Sequence, residues 1–349
     1  MWQRFIDESL RHCQEVYDAL GVTLQREDVR AESDYNDDLP RVIDDLRTKG
    51  LLRESDGAQC VFLEEFKSKE GEITPVIVQK SDGGYLYATT DLSAVRYRAG
   101  QLEADRVLYI VDARQMLHLR QVFAVSRAAG YAPESCSLEH HAFGTMLGDD
   151  GKPFKTRTGG TVKLMDLLRE AQERAFALVG EKNPELSVEE RREVARVVGI
   201  GSVKYADLSL NRTTDYIFNW DKMLSFYGNT APYLQYSYAR VKSIFRRAEI
   251  DESKLGGRIE IAEPAERALA VKIVQFGEVV DTVARECYPN ALCNYLYELA
   301  ELYMKFYEHC PVLRSEESVR ASRLLLCQMT ARIIARGLDL LGIGTVERM

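Results

Sequence analysis

The sequence predicts an α/β domain built on a parallel sheet, followed by an all-helical bundle. Three observations carry this. Val107-Leu108-Tyr109-Ile110-Val111 is an unbroken apolar run, as a parallel strand buried on both faces requires. It is followed by Met116, Leu119, Phe123 and Ser126 at helical spacing and then by a second strand-like run, Ser137 to Phe143, which makes a strand–helix–strand unit. Beyond residue 185 every apolar pattern is helical.

The elements follow in order. Residues 1–20 read as an amphipathic helix with Phe5, Leu10, Cys13, Val16, Tyr17 and Leu20 at mostly helical spacing and Gly21 as its stop. Pro40 and Gly50 bracket a second, short helix. Val61-Phe62-Leu63, Val76-Ile77-Val78 and Tyr85-Leu86-Tyr87 are strand-like, and Ser81-Asp82-Gly83-Gly84 is a turn, so 60–87 is expected to be a small antiparallel sheet. A glycine-rich loop from 144 to 160 precedes a helix from about Leu164. The bundle helices are expected along Leu234/Tyr238/Val241/Phe245, Leu269/Ile273/Phe276/Val280/Val283, Leu292/Leu296/Leu299/Tyr303 and Leu325/Met329/Ile333, with a break at Asp251–Gly257.

Composition narrows the function. The 349 residues, 46% hydrophobic and 29% charged, suit a folded chain of two or three domains. No apolar stretch approaches the length of a membrane span, and MWQRFIDESLRHC lacks a secretory signal's apolar core, so a cytoplasmic site is expected. Forty-six Lys and Arg against 54 Asp and Glu leave a net charge of −8, so any contact with RNA must use local basic patches rather than a general basic surplus. Seven cysteines without a CxxC pair fit free thiols in a reducing compartment. A zinc site from Cys287, Cys293, His309 and Cys310 is the alternative.

Five segments carry candidate chemistry. In Tyr85–Asp91, Asp91 suits bidentate pairing with a planar cation such as guanidinium, with Tyr87 packing on it; alternatively Asp91 caps a helix beginning near Leu92. Asp112 to Gln115 lies just past a parallel strand, where open α/β sheets bind ligands, or is a solvated loop. The loop 148–160 is not a Walker A sequence, because Met146 stands at its first position and Pro153 follows Lys152. Its Lys152, Lys155 and Arg157 suit the stabilisation of a triphosphate's developing charge, or form an exposed basic turn. His140-His141-Ala142-Phe143-Gly144 suits holding a nucleobase, or is a strand end with half-buried histidines. In Gly228–Arg240, with Lys242, Arg246 and Arg247 behind it, aromatics alternate with cations as in a surface that stacks unpaired bases, or as in a core helix with a basic face.

Taken together, DGGYLYATTDLSAVRYR (82–98), RVLYIVDARQMLHLRQVF (106–123), LEHHAFGTMLGDDGKPFKTRTGGTVKL (138–164), VGIGSVKYADLSLNRTTDYIFNWD (198–221) and GNTAPYLQYSYAR (228–240) resemble, in order, the arginyl-tRNA synthetases of class I. The resemblance implies a partial class I Rossmann domain with a parallel sheet, then a helical anticodon-binding bundle. The implied divisions are 1–80, 81–165, 166–225 and 226–349. Tyr87, Asp91 and Gln115 resemble the residues that hold arginine, and His141, Phe143, Gly144, Met146 and Lys155 the ATP-binding edge. Lys152, Lys155 and Arg157 stand in the place of the catalytic KMSKS loop, here written KPFKTR. Tyr233, Tyr236 and Met349 resemble anticodon contacts. The implied partners are arginine, ATP with Mg2+, and tRNA(Arg), with no structural metal and a monomeric enzyme. The HIGH signature of the class has no counterpart in these residues, so the chain is expected to match roughly the last three-fifths of such an enzyme. The rival expectation is a non-catalytic tRNA-binding fragment or paralogue.

Overall fold

The structure, a computed structural model, describes residues 1–148, 151–152 and 163–349. It contains two compact units, Leu24–Gly144 and a larger one formed by Met1–Thr23 with Thr145–Met349. Helix α1 (Trp2–Leu20) belongs to the larger unit and ends where Gly21 turns left-handed at φ 66°, its amide and that of Val22 closing on Asp18 and Tyr17. Only a residue without a Cβ takes that conformation at no steric cost.

The smaller unit begins with α2 (Leu39–Thr48) and an antiparallel sheet of β1 (Leu52–Ser55), β2 (Ala58–Val61) and β3 (Val76–Gln79) in the order β1-β2-β3. Tyr85-Leu86-Tyr87 is not a strand: Tyr85 makes one isolated bridge to Gln79, and α3 runs from Tyr87 to Arg96. Two side chains fix α3. Thr89 Oγ1 donates to the Val78 carbonyl, and Asp38, just ahead of α2, accepts from Ser93 Oγ and Arg96 Nη2, each at 2.7 Å. A strand–helix–strand unit follows, with β4 (Arg106–Tyr109), α4 (Met116–Ala128) and β5 (Ser137–His140). β4 and β5 are parallel, with Val107 opposite Leu138 and Tyr109 opposite His140. Arg106 forks onto Glu139 across the pair at 2.6 and 2.7 Å, and this guanidinium holds the Glu139 carboxyl down to about 2. Val42, Leu46, Val78, Leu92, Val95, Val122 and Val125 form the core beneath these elements. The run 107–111 is not buried on both faces as expected: Ile110 is 65% exposed and Leu108 41%.

In the larger unit, β6 (Met146–Leu147) leads towards α5 (Leu164–Lys182) and α6 (Val188–Leu208). The capping box at Ser187 and Glu190 starts α6. α5 and α6 lie so close at Gly199 that a Cβ there would sit 2.8 Å from the Ala171 backbone. β7 (Tyr216–Ile217) pairs in parallel with β6, and the Asp215 carboxylate accepts the Thr145 amide at 2.6 Å. The expectation of helices alone beyond 185 therefore fails at β7, because two residues are too few to show a period. The short α7 (Trp220–Met223) precedes α8 (Ala231–Arg247), α9 (Pro264–Val274), α10 (Phe276–Glu286), α11 (Pro289–His309) and α12 (Glu317–Leu340). The stripe expected from Leu269 to Val283 is broken between α9 and α10 at Gln275. On α12 the buried line is Leu324, Cys327, Ala331, Ile334 and Leu338, while Met329 faces solvent. Among the described residues no three of Cys287, Cys293, His309 and Cys310 form a ligand group, and no helix is long and apolar enough to cross a membrane.

The bundle holds one buried ion pair. Arg323 Nε of α12 meets Glu266 Oε1 of α9 at 2.6 Å, the two side chains being 9% and 2% exposed. Glu266 also accepts the amides of Ala262 and Glu263, while Arg323 donates to the Pro311 carbonyl and Ser315 Oγ. Burial pushes the Glu266 carboxyl up, but these two amides and the guanidinium outweigh it and hold the group below its ordinary value. Because the folded value is depressed, its stabilisation is complete above the ordinary carboxylate range and fades as pH falls through the folded value. Glu266→Gln is expected to cost about 3–5 kcal/mol near neutral pH, as for a broken buried pair. Urea unfolding followed by circular dichroism should show that deficit at pH 7 and a smaller one near pH 4.

Candidate functional site

The site residues of the smaller unit converge on one end of the β4/β5 pair. Asp112, just beyond β4, bridges in parallel to Phe143, just beyond β5, so the segments after both strands lie side by side. Asp112 accepts its own loop's Arg114 through both the amide at 2.8 Å and the guanidinium at 2.9 Å. Arg114 thereby holds the Asp112 carboxyl down to about 2. Asp112 caps the turn that delivers Gln115, exposed, to the start of α4.

Asp91 does not cap a helix. α3 starts four residues earlier, with Leu86 as its non-capping boundary, so Asp91 lies one turn inside and on the same face as Tyr87. Tyr87 is 70% exposed, while the Asp91 side chain is half-buried. One carboxylate oxygen, Oδ2, meets His118 Nε2 of α4 at 2.6 Å. His118 stands three residues after Gln115, one turn along α4. Tyr109 of β4, whose hydroxyl takes a hydrogen bond from Arg98 at 2.8 Å, adds a half-buried phenol near Asp91. Burial pushes that phenol up to about 12, and the Asp91 charge adds to the shift. A half-buried carboxylate, an exposed ring one turn before it and an amide side chain suit a flat cation. His118 and Tyr109 were not singled out in the sequence: a histidine within an apolar helical stripe and a tyrosine inside a strand give no pattern that separates site from core.

At the β5 end, His141 is buried with Nε2 2.8 Å from Glu139 Oε2, whereas the Phe143 ring is 43% exposed and Gly144 follows it. Met146 lies in β6 of the larger unit. Lys152 is exposed, and its carbonyl accepts the Gly148 amide at 2.8 Å. Lys155 and Arg157 lie outside the described residues.

The larger unit builds a separate aromatic and basic face on α8. Thr230 caps the helix, its side chain accepting the Tyr233 amide at 3.3 Å, and Pro232 sits in the first turn. Tyr233 packs against Tyr297 with ring centroids 5.7 Å apart, and Tyr236 sits edge-on to Phe226 at 6.5 Å. The C-terminal tail runs along the same helix: Gln235 Nε2 donates to the Gly344 carbonyl at 2.8 Å and Arg246 to the Glu347 carbonyl at 3.3 Å. Met349 packs against the core shared by α5 and α6. A cleft of about 410 Å³, lined by Arg174, Lys182, Trp220, Phe226 and Tyr227, contains none of the residues singled out in the sequence.

Comparison with known proteins identifies the family. The model of "tRNA synthetases class I (R), catalytic domain" matches residues 1–220. The chain belongs to the class I arginyl-tRNA synthetase family. The DALR anticodon binding domain matches residues 234–349. The arginine–tRNA ligase of Chromobacterium violaceum is 59% identical over 349 residues, all of this chain and 61% of that protein. That of Marinomonas sp. is 60% identical over the whole chain and 60% of its own length. The arginyl-tRNA synthetase structure from Plasmodium falciparum superimposes with a TM-score of 0.88 at 29% identity, covering 100% of this chain and 58% of that one. The chain thus spans about 60% of the length of the curated relatives it matches.

Tyr233 is partly buried against the bundle core, while Tyr236 is 37% exposed, so the two tyrosines should separate on mutation. Tyr233→Ala is expected to destabilise by roughly 2 kcal/mol, through lost packing. Tyr236→Ala should change stability by less than about 0.5 kcal/mol. Chemical denaturation of both variants checks this.

Proposed function

We propose that this chain supplies the arginine-recognising edge and the anticodon-reading bundle of an arginine–tRNA ligase. The observation that carries the reading is Asp91: a half-buried carboxylate with one oxygen held by His118 and an exposed tyrosine ring one helical turn away. The delocalised guanidinium matches a carboxylate in plane and spreads its charge over an aromatic face, which a lysine ammonium does less well. Tyr87 and Gln115 complete the contacts to arginine in this reading.

In the inferred reaction the arginine carboxylate attacks the α-phosphorus of MgATP. The new P–O bond forms as pyrophosphate leaves with the bridging electron pair. The 2′-hydroxyl of the terminal adenosine of tRNA(Arg) then attacks the acyl carbon, and AMP departs. This chain's residues bind and orient rather than form covalent intermediates. Phe143 and the backbone at Gly144, with His141 and Met146, are assigned to the adenine. Lys152, Lys155 and Arg157 are assigned to charge developing on the phosphates. Tyr233, Tyr236 and Met349 are assigned to the anticodon loop, supported by the tail's attachment along α8. A cytoplasmic site of action is part of the reading, supported by seven cysteines that form no CxxC pair.

Calorimetric titration with L-arginine and with L-citrulline, its neutral isostere, tests the reading. Arginine is expected to bind at least tenfold tighter than citrulline, roughly the discrimination of one charge-assisted contact. Asp91→Asn should remove most of that preference while leaving the melting temperature within a few degrees. Equal affinity for the two ligands would end the proposal.

A further inference from the structure

We propose that His118 is a positioning residue of the cation site, holding one oxygen of Asp91 and setting through its own charge how strongly that carboxylate attracts a guanidinium. The inference rests on Asp91 being the arginine carboxylate and adds to it a pH-dependent tuning of affinity. The geometry is direct. His118 Nε2 lies 2.6 Å from Asp91 Oδ2, and the two side chains are 32% and 31% exposed, so the pair is accessible to ligand and proton alike.

The carboxylate has acceptor capacity for more than one donor, so a hydrogen bond at Oδ2 leaves Oδ1 open. With His118 neutral and Nε2 carrying the proton, the imidazole fixes the Asp91 rotamer and leaves its full negative charge for the ligand. With His118 protonated, the pair is neutral overall, and an arriving guanidinium meets a competing cation already in place. Arginine therefore binds more tightly to the form with a neutral imidazole, and binding to the charged form is coupled to release of a proton.

The neighbouring charged groups leave this role to His118. Tyr87 and Tyr109 are phenols, and Tyr109 is pushed up to about 12 by burial, so it keeps its proton. Arg98, donating to the Tyr109 hydroxyl, is permanently charged. From α2's start Asp38 is taken by Arg96 and Ser93, beside α4 Asp112 is taken by Arg114, and on β5 Glu139 is taken by Arg106. β3 contributes no charged residue. Gln115 cannot titrate.

The test is arginine affinity of the full chain by calorimetry from pH 5.5 to 8.5, for the wild type, His118→Gln, His118→Phe and Asp91→Asn, each first checked by thermal melting. The wild-type affinity is expected to rise about tenfold across that range, as for one added like charge near a partly screened site. His118→Gln, which keeps an uncharged donor at the same reach, should lose the pH slope and recover most of the high-pH affinity. His118→Phe should bind several-fold more weakly at every pH and show no slope. A wild-type slope surviving in both His118 variants, or no slope in a wild type whose arginine binding still requires Asp91, overturns the role of His118 and leaves the site standing. Absence of arginine binding by the wild type, or undiminished binding by Asp91→Asn, overturns the reading of the site itself.

Discussion

The parallel pairing of β4 and β5 is the constraint on which the site of the smaller unit depends. Parallel strands cannot be joined by a tight turn, so the chain must return through α4. That return leaves the segments after both strands at the same end, where the Asp112–Phe143 bridge ties them. α4 then begins beside α3, and this adjacency brings His118 to Asp91 although 27 residues separate them. The Arg106–Glu139 fork keeps the two strands in register from the surface side.

The larger unit solves a different problem, presenting a basic and aromatic face within a chain whose net charge is −8. Several of its cations are held by partners within the unit. Lys242 is taken by Glu252 at 2.6 Å, and Lys272 by Glu298. Arg240 is laid over the Tyr307 ring at 4.6 Å. Stacking surfaces for RNA depend on exposed rings and nearby cations more than on net charge, so an acidic chain and an RNA-reading face are compatible.

Much of the architecture was legible because it rested on long periods and strong punctuation. Gly21 and the start of α5 at Leu164 fell where the sequence placed them. Three of the failures share a cause: tertiary contacts overrode local preference. Asp91 looked like a cap because aspartate favours that role, but Thr89 reaching into β3 starts α3 earlier. The α9–α10 break at Gln275 lies inside an apolar pattern that continues through it, because both helices pack residues against the same core. On α12 a run of three leucines, 324 to 326, left the phase of the stripe undetermined, and packing chose Leu324 and Leu326 over Leu325. Asp91, Tyr87 and Gln115 were singled out as candidates by their chemistry and assigned to arginine by motif resemblance, whereas the Asp91–His118 contact, spanning two helices, could be seen only in three dimensions.

The backbone contact between α5 and α6 at Gly199 has a mechanical meaning. Where two helices meet without intervening side chains, sliding one past the other has no soft mode, since any shift presses carbonyls against Cα atoms. At that point a side chain in place of Gly199 would have to force the two helix backbones apart.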